Sequence, residues 1–255
     1  EESRRLLRRG NLIPNLSTIT AMRAYNIPFF RMLAALLVVL LSGCRSERLT
    51  CNYASADIST KEEEHVVLAG FAARHGLSTG IHLPLKTHCL VIAKGTEKVC
   101  IVSNDLMEVS PREADRMRTE IANRTGLPVS HVLLHCIHTH SAPRMGGASA
   151  VEGGTNYNYA TRTLQTVIDC AVRTVLDDEG FRPFRLEIGR STTSINGNRC
   201  EKEGPVDRRV YVARFLDERD NPIVSIVNLA CHPVCMGPAS LLVSPDYAGV
   251  AAREL

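Results

Sequence analysis

Residues 132–143 read VLLHCIHTHSAP, an apolar run followed at once by a motif with two histidines, His138 and His140. A run of this length and composition predicts a buried β-strand. A second such run, from Ile223 to Cys231, ends in Cys231-His232-Pro233. Because functional side chains commonly emerge at the ends of strands in α/β proteins, we expect the two histidine motifs to form one site.

The residue types at these strand ends point to metal chemistry. Imidazole is the commonest protein ligand of catalytic zinc, which needs about three protein ligands and an open position. His138 and His140 are two residues apart, so in an extended chain both side chains point to one face. One could then bind the metal while the other hydrogen-bonds the water, and His232 could supply a second ligand. The alternative is that these are ordinary core or loop histidines, as a single histidine usually is.

Five other histidines lack a strand-end context, and we expect them to be structural or surface groups: His75, His82, His88, His131 and His135.

Strand and helix patterns alternate along the rest of the chain. The apolar runs at 88–93 and 99–103 predict a hairpin, and those at 210–216 and 223–231 predict another; a further strand is expected at 184–190. Helices are expected from Ser110, a capping residue followed by proline, to about Arg124, and again over 159–177 and from Tyr247 onward. The order predicts an α/β fold, a mixed β-sheet with covering helices.

The N-terminal stretch predicts export rather than fold. The apolar run MLAALLVVLL at 32–41 follows arginines and precedes Ser42-Gly43-Cys44, as in a secretory signal. The run is too short to span a membrane. Leu41-Ser42-Gly43-Cys44 resembles the lipobox of bacterial lipoproteins, in which the cysteine, here Cys44, is lipidated; the alternative is an ordinary secreted protein.

These patterns divide the chain into four parts. Residues 1–21 read as an upstream extension that is not part of the native protein, 22–43 as the lipoprotein signal, 44–65 as a tether and 66–255 as the globular domain. We therefore expect a protein held by a lipid anchor on a bacterial membrane, at its periplasmic or outer-membrane face.

Composition and motifs exclude several functions. Residues 1–43 carry six arginines and two glutamates, so removing them changes the net charge from +3 to −1. No basic stripe remains, and nucleic-acid binding has no electrostatic support. The chain has no G-x-S-x-G elbow, phosphate loop or dinucleotide fingerprint. It has nine cysteines but no C-x-x-C pair, and we assign no disulfide.

Six short motifs, in this order and spacing, resemble the neutral/alkaline (non-lysosomal) ceramidase family. The similarity spans about Val66 to Leu255. The motifs are SND at 103–105, HTHSAP at 138–143, NGNR at 196–199, GPVD at 204–207, CHP at 231–233 and SPDYAG at 244–249.

The resemblance implies a zinc (Zn2+) amidase that cleaves N-acylsphingosine, an amphipathic ceramide-like lipid, to sphingosine and fatty acid. By motif, His138 and His232 would be zinc ligands, and His140 would lie beside the metal-bound water and transfer a proton. Arg199 would hydrogen-bond the substrate or the developing oxyanion, unless it forms only a structural salt bridge. Asp246 would have a supporting or structural role.

The family takes its two remaining ligands, a glutamate and a tyrosine, from chain downstream of Leu255, so the resemblance also implies that this sequence is truncated. We expect the sequence as it stands to bind zinc weakly and to turn over slowly or not at all. Two alternatives stay open. One is a surface lipoprotein that serves as a non-catalytic binding module, and the other is a related metallohydrolase with another amide or ester substrate.

Overall fold

The computed structural model describes residues 48–254, in which a five-stranded sheet carries most of the core. Its strands are β1 (Leu49–Asp57), β3 (Lys86–Lys94), β4 (Glu97–Asn104), β5 (Val132–Cys136) and β6 (Arg182–Pro183). Their order across the sheet is β5-β4-β3-β1-β6. β4 and β5 are parallel and the other pairs antiparallel, so the sheet is mixed, as predicted.

The parallel pair places two chain segments at one edge of the sheet. Parallel strands need a crossover connection, which here is the helix α1 (Pro111–Thr125). Asn104 at the end of β4 is in register with Cys136 at the end of β5. The turn after β4 and the histidine motif after β5 therefore leave the sheet side by side.

Helix α1 begins and ends as its sequence predicts. The Ser110 side chain accepts a hydrogen bond from the Glu113 N–H (3.2 Å), and Pro111 occupies the first turn. At the other end Gly126 adopts a left-handed conformation (φ 76°) and its N–H binds the Ala122 carbonyl, a common way to end a helix.

Helix α2 (Tyr157–Leu176) supplies much of the core. The apolar side chains that recur at helical spacing along it are all buried: Leu164, Val167, Ile168, Ala171, Val172 and Val175. They pack with α1 and with the inner faces of β3, β4 and β5 in one large cluster.

A separate three-stranded antiparallel sheet follows, with β7 (Arg185–Thr192), β8 (Arg209–Leu216) and β9 (Pro222–Leu229) in that order. These strands pair only with one another and so form a second sheet. Phe215 packs with Cys51 and Leu90 in a second, small cluster, which joins the two sheets.

Part of the stretch predicted as a tether, 44–65, is a strand of the larger sheet. Leu49–Asp57 is β1, paired along its whole length with β3. The strand is rich in small and polar residues, which made it look like a linker. Its Asn52 is buried and donates to the carbonyls of Thr174 (3.0 Å) and Asp177 (3.2 Å) at the end of α2.

Two short strands, β2 (Gly80–Ile81) and β10 (Leu242–Val243), pair in parallel, and helix α3 (Asp246–Arg253) follows. Among residues 48–254 no helix is long and apolar enough to span a membrane. The eight cysteines in this range form no disulfide. Cys44 and the predicted signal lie outside the described residues.

Candidate metal centre

His138 lies just beyond β5 and is fixed by the turn that follows β4. Its N–H donates to the Leu106 carbonyl (3.0 Å), and its Nδ1 is 3.0 Å from the Met107 carbonyl. The chain is not extended here as expected, since His138 has φ 65°. Few residues other than glycine adopt this left-handed conformation, and it is sustained only where surrounding bonds hold it. The turn it makes, rather than strand alternation, brings His140 back beside His138.

His140 is nearly buried, with 9% of its surface exposed. Its N–H donates to the Pro233 carbonyl (3.2 Å), which joins the two histidine motifs directly. Gly70 packs closely against the His140 ring, since a Cβ on Gly70 would be 2.2 Å from His140 Cγ. The Nδ1 atom is buried and has no hydrogen-bond partner among residues 48–254.

His232 follows β9 and is positioned through its backbone neighbours. The buried Asn196 side chain donates to the Ala230 carbonyl (2.7 Å), and the Tyr247 hydroxyl donates to the Cys231 carbonyl (2.7 Å). These bonds hold the chain just before His232 from two sides.

The SPDYAG motif at 244–249 links the two histidine segments. Thr139 Oγ1 donates to the Ser244 carbonyl (2.9 Å), and the Ser244 N–H donates to the Ser141 carbonyl (2.9 Å). On the other side, the Asp246 carboxylate accepts from the Met236 N–H (3.0 Å). The Asp246 side chain is thus bonded to the backbone of the segment that follows His232.

The three imidazoles form one cluster, with ligand nitrogens that all lie within 4.8 Å of one another. Ring centroids are 5.3 Å apart for His138 and His140, 5.2 Å for His138 and His232, and 4.4 Å for His140 and His232. The Nε2 atoms of His140 and His232 are 2.8 Å apart, a hydrogen-bond distance.

The environment keeps two of these rings neutral. Burial lowers the pKa of His140 to about 4, and the neighbouring imidazoles and arginines add to the effect. Burial also lowers the pKa of His232, with smaller contributions from His138 and Arg199. An unprotonated ring nitrogen is what a metal ion requires.

Arg199 is exposed in the segment between β7 and β8. Its positive charge contributes to the lowered pKa of both His140 and His232. The structure thus clusters three of the four predicted site residues of the domain, His138, His140 and His232.

The donor set fits a metal ion. Zinc binds imidazole nitrogen at 2.0–2.1 Å, so ligand nitrogens of a tetrahedral site are about 3.3 Å apart. The nitrogens of the cluster span this distance, from 2.8 Å up to the 4.8 Å limit. Imidazole also suits copper, iron and nickel, so the cluster could hold a metal ion without defining which one.

Sequence reasoning missed the residues that support the site from a distance. Gly70 and Arg74 had no local signal, because their contacts lie far along the chain: Arg74 binds the His140 carbonyl, 66 residues away. Asn196 and Tyr247 lay within the quoted motifs NGNR and SPDYAG, and those motifs could have identified them.

The fold is a mixed sheet backed by helices, with a histidine cluster at the strand ends that could hold a metal ion. A family model described as neutral/alkaline non-lysosomal ceramidase, N-terminal, matches residues 51–255. The chain belongs to this family, and the match begins inside β1 rather than at Val66. This is a family of hydrolases.

Curated relatives are neutral ceramidases of distant sequence. The chain is 24% identical over 248 residues to neutral ceramidase 2 of Arabidopsis thaliana, covering 90% of this chain and 32% of that protein. It is 25% identical over 245 residues to the neutral ceramidase of Pseudomonas aeruginosa, covering 87% of this chain and 36% of that protein. The chain therefore spans about a third of the length of these relatives.

Solved structures share the fold. A ceramidase complexed with C2 superposes with a TM-score of 0.64 at 22% identity, covering 80% of this chain and 34% of that one. A crystal structure of neutral ceramidase from Pseudomonas aeruginosa gives a TM-score of 0.59 at 21% identity, covering 80% of this chain and 35% of that one.

Proposed function

We propose that this chain forms part of the catalytic domain of a zinc-dependent amide hydrolase that acts on a ceramide-like lipid. The observation that carries the proposal is the convergence of His138, His140 and His232 from two motifs far apart in sequence. Because the chain spans about a third of its relatives' length, the activity is proposed for a protein of their length that contains it.

The hydrogen bonds of the rings support different roles for the histidines. A metal-binding histidine almost always donates its other ring N–H to a carbonyl or carboxylate. His138 has such a partner, since its Nδ1 is 3.0 Å from the Met107 carbonyl, which leaves Nε2 for the metal. His140 lacks one, because its Nδ1 is buried without a partner.

This difference favours the Nε2–H tautomer of His140. An unpartnered buried N–H costs free energy, so the proton belongs on Nε2, where it faces His232 Nε2 at 2.8 Å. We therefore assign metal binding to His138 on this ground and to His232 on its Cys231-His232-Pro233 motif, and assign to His140 Nε2 the holding and transfer of a proton at the reacting group.

Bound zinc lowers the pKa of a water ligand toward neutrality and so supplies a nucleophile. Residues of this chain would orient the substrate and stabilise the charge that develops on it. Arg199 is exposed, and its charge acts on both His140 and His232; it would donate to the substrate carbonyl oxygen as negative charge develops there.

The test is turnover by the product of the gene read to its stop codon. We expect chelator-sensitive release of sphingosine from a short-chain fluorescent ceramide, lost in His138→Ala. His131→Ala is the matched control, since His131 Nδ1 also lies 3.0 Å from a backbone carbonyl, that of Lys98, but outside the cluster. Full activity in His138→Ala would refute the assignment. Zinc binding without ceramide cleavage would favour another amide or ester substrate.

Lipid anchoring is a separate part of the proposal and rests on Leu41-Ser42-Gly43-Cys44 alone. In bacteria that express the full chain, we expect palmitate label and membrane fractionation to depend on Cys44. Cys44→Ala should abolish both, whereas Cys200→Ala, at an exposed cysteine, should abolish neither. Label that survives Cys44→Ala would overturn the anchor.

A further inference from the structure

Arg74 lies where three segments of the candidate site meet. Its guanidinium donates to the carbonyl of Ala69 (2.9 Å) in its own segment, to that of Gly237 (3.0 Å) and to that of His140. His140 belongs to the first histidine motif, and Gly237 follows His232 in the second. Hydrogen bonds from a charged donor are stronger than neutral ones, so this one side chain ties both motifs together.

The same turn also holds the ring of His140. Phe71 contacts it edge to face, with centroids 4.9 Å apart, and the Arg74 guanidinium lies over the Phe71 ring, 4.9 Å from its centroid. Gly70 closes the Nδ1 side of the ring at van der Waals contact. The ring is thus held by Gly70 and Phe71, and its backbone by Arg74.

The partners of Arg74 argue against a role in general stability alone. Within residues 48–254 its guanidinium donates to three backbone carbonyls and to Ser141 Oγ (3.5 Å) but to no carboxylate, and its Nε is buried without a hydrogen-bond partner. Burying a charge that no carboxylate neutralises is costly, and its three carbonyl partners all belong to segments that line the site rather than to the core of the large sheet.

We propose that Arg74 is a positioning residue: it fixes the separation of the two histidine motifs and holds His140 Nε2 against His232 Nε2 before any metal binds. Its effect on metal affinity rests on the proposed function, whereas its effect on the His140 ring does not.

The chain offers a matched control in Arg162. Arg162 is also half-buried, binds Glu64 through its guanidinium and lies 5.6 Å from the centroid of an aromatic ring, that of Tyr159, yet it makes no contact with the histidine cluster. Arg74→Met and Arg162→Met therefore remove comparable side chains at two places, of which only one is the site.

Two measurements on the full chain test the proposal: the long-range ¹H–¹⁵N spectrum of the metal-free imidazoles, and calorimetric titration with zinc alone. In the unmodified protein we expect a single Nε2–H tautomer for His140. In Arg74→Met this signal should give way to averaged tautomers, and zinc affinity should fall by about 10- to 100-fold, as for other groups that orient metal ligands. Arg162→Met should leave the spectrum unchanged and zinc affinity within about threefold.

Arg74→Lys keeps the charge but lacks the planar fork, so it should give an intermediate loss, and it replaces Arg74→Met if that variant does not fold. An unmodified protein that binds no zinc would refute the metal site, while the His140 spectrum would still decide the role of Arg74. Unchanged spectra in both Arg74 variants would overturn the proposal, as would an equal loss of His140 order in Arg162→Met.

Discussion

The two sheets each bring one histidine motif to the site, and they differ greatly in how far they are buried. In β3 of the larger sheet five of nine residues are buried, whereas in the whole three-stranded sheet only Phe215 and Leu216 are. The larger sheet holds His138 and His140 on a deep core. His232 depends instead on a few long-range hydrogen bonds, those of Asn196, Tyr247 and Arg74.

Because of this difference, the stability of the fold and the geometry of the site should respond to different substitutions. Substitutions in the core of the larger sheet should unfold the chain, whereas loss of a single polar contact around His232 should disturb the site with little loss of stability. Four pairs of matched variants test that separation.

The largest difference is expected between Ile168→Ala and Ile188→Ala. Ile168 in α2 is 1% exposed and Ile188 in β7 is 73% exposed. Ile168→Ala should lower the free energy of unfolding by about 2–5 kcal/mol because it leaves a cavity. Ile188→Ala should lower it by less than about 1 kcal/mol. Urea denaturation followed by circular dichroism measures both, and equal losses would remove the contrast between the sheets.

The next pair is Gly70→Ala and Gly126→Ala. Both glycines have positive φ, 97° and 76°, so both variants strain the backbone, but only a Cβ at Gly70 meets the ring of His140. We expect an additional loss of about 1–3 kcal/mol for Gly70→Ala from overpacking. Its His140 ring resonances should shift while those of Gly126→Ala stay in place; an unshifted spectrum in Gly70→Ala would contradict the close packing described for this ring.

Two aspartates should respond to pH in opposite senses. Burial raises the pKa of Asp105, after β4, to about 6. Its stabilising contribution is therefore complete below the unfolded pKa of about 3.9 and lost as pH rises through about 6. Hydrogen bonds from Arg209 lower the pKa of Asp207, before β8, to about 2, so its contribution is present above the unfolded pKa and lost as pH falls through about 2.

Asp105→Asn should therefore flatten the dependence of unfolding free energy on pH between about 4 and 6, by at most about 1.4 kcal/mol per pH unit. Asp207→Asn should lower stability above about pH 4 and flatten the pH dependence only between about 2 and 4, and both effects should be weak, since the ion pair is exposed and screened by solvent. Urea denaturation at a series of pH values checks both. An Asp105→Asn profile that parallels the unmodified one would show that this carboxyl is not perturbed.

The smallest effects are expected for Tyr159→Phe and Tyr247→Phe. Each removes one hydroxyl that donates to a backbone carbonyl, that of Ile58 (2.8 Å) or Cys231 (2.7 Å). Each should cost about 0.5–1.5 kcal/mol of stability. Only Tyr247→Phe should weaken zinc binding, by about tenfold, because Cys231 precedes His232. Zinc affinity is measured by calorimetry. Equal affinities in the two variants would show that the Tyr247 hydroxyl does not support the site.

The sequence predicted best the elements whose signals are local. The hairpin of β3 and β4, the caps of α1 and the buried face of α2 follow from turn residues, from Ser110 and Gly126, and from helical spacing. β1 was missed because the partners of Asn52 lie 122 and 125 residues away. A polar residue whose hydrogen-bond partners lie so far along the chain resembles part of a linker when only its neighbours in sequence are considered.

The candidate site shows the same limit. The three histidines and Arg199 could be chosen from motifs, but their arrangement could not. The left-handed turn at His138 depends on carbonyls of Leu106 and Met107, and the fixed ring of His140 depends on Gly70. Tertiary contacts, not strand periodicity, set the geometry of the cluster.

We expect His138 and His232 to bind the metal and His140 to lie next to it without binding it. X-ray absorption on the zinc-loaded full chain counts the imidazoles bound to the metal. We expect two imidazoles on the zinc of the unmodified chain. The number should stay at two in His140→Ala and fall to one in both His138→Ala and His232→Ala. Three imidazoles in the unmodified chain, falling to two in His140→Ala, would contradict it.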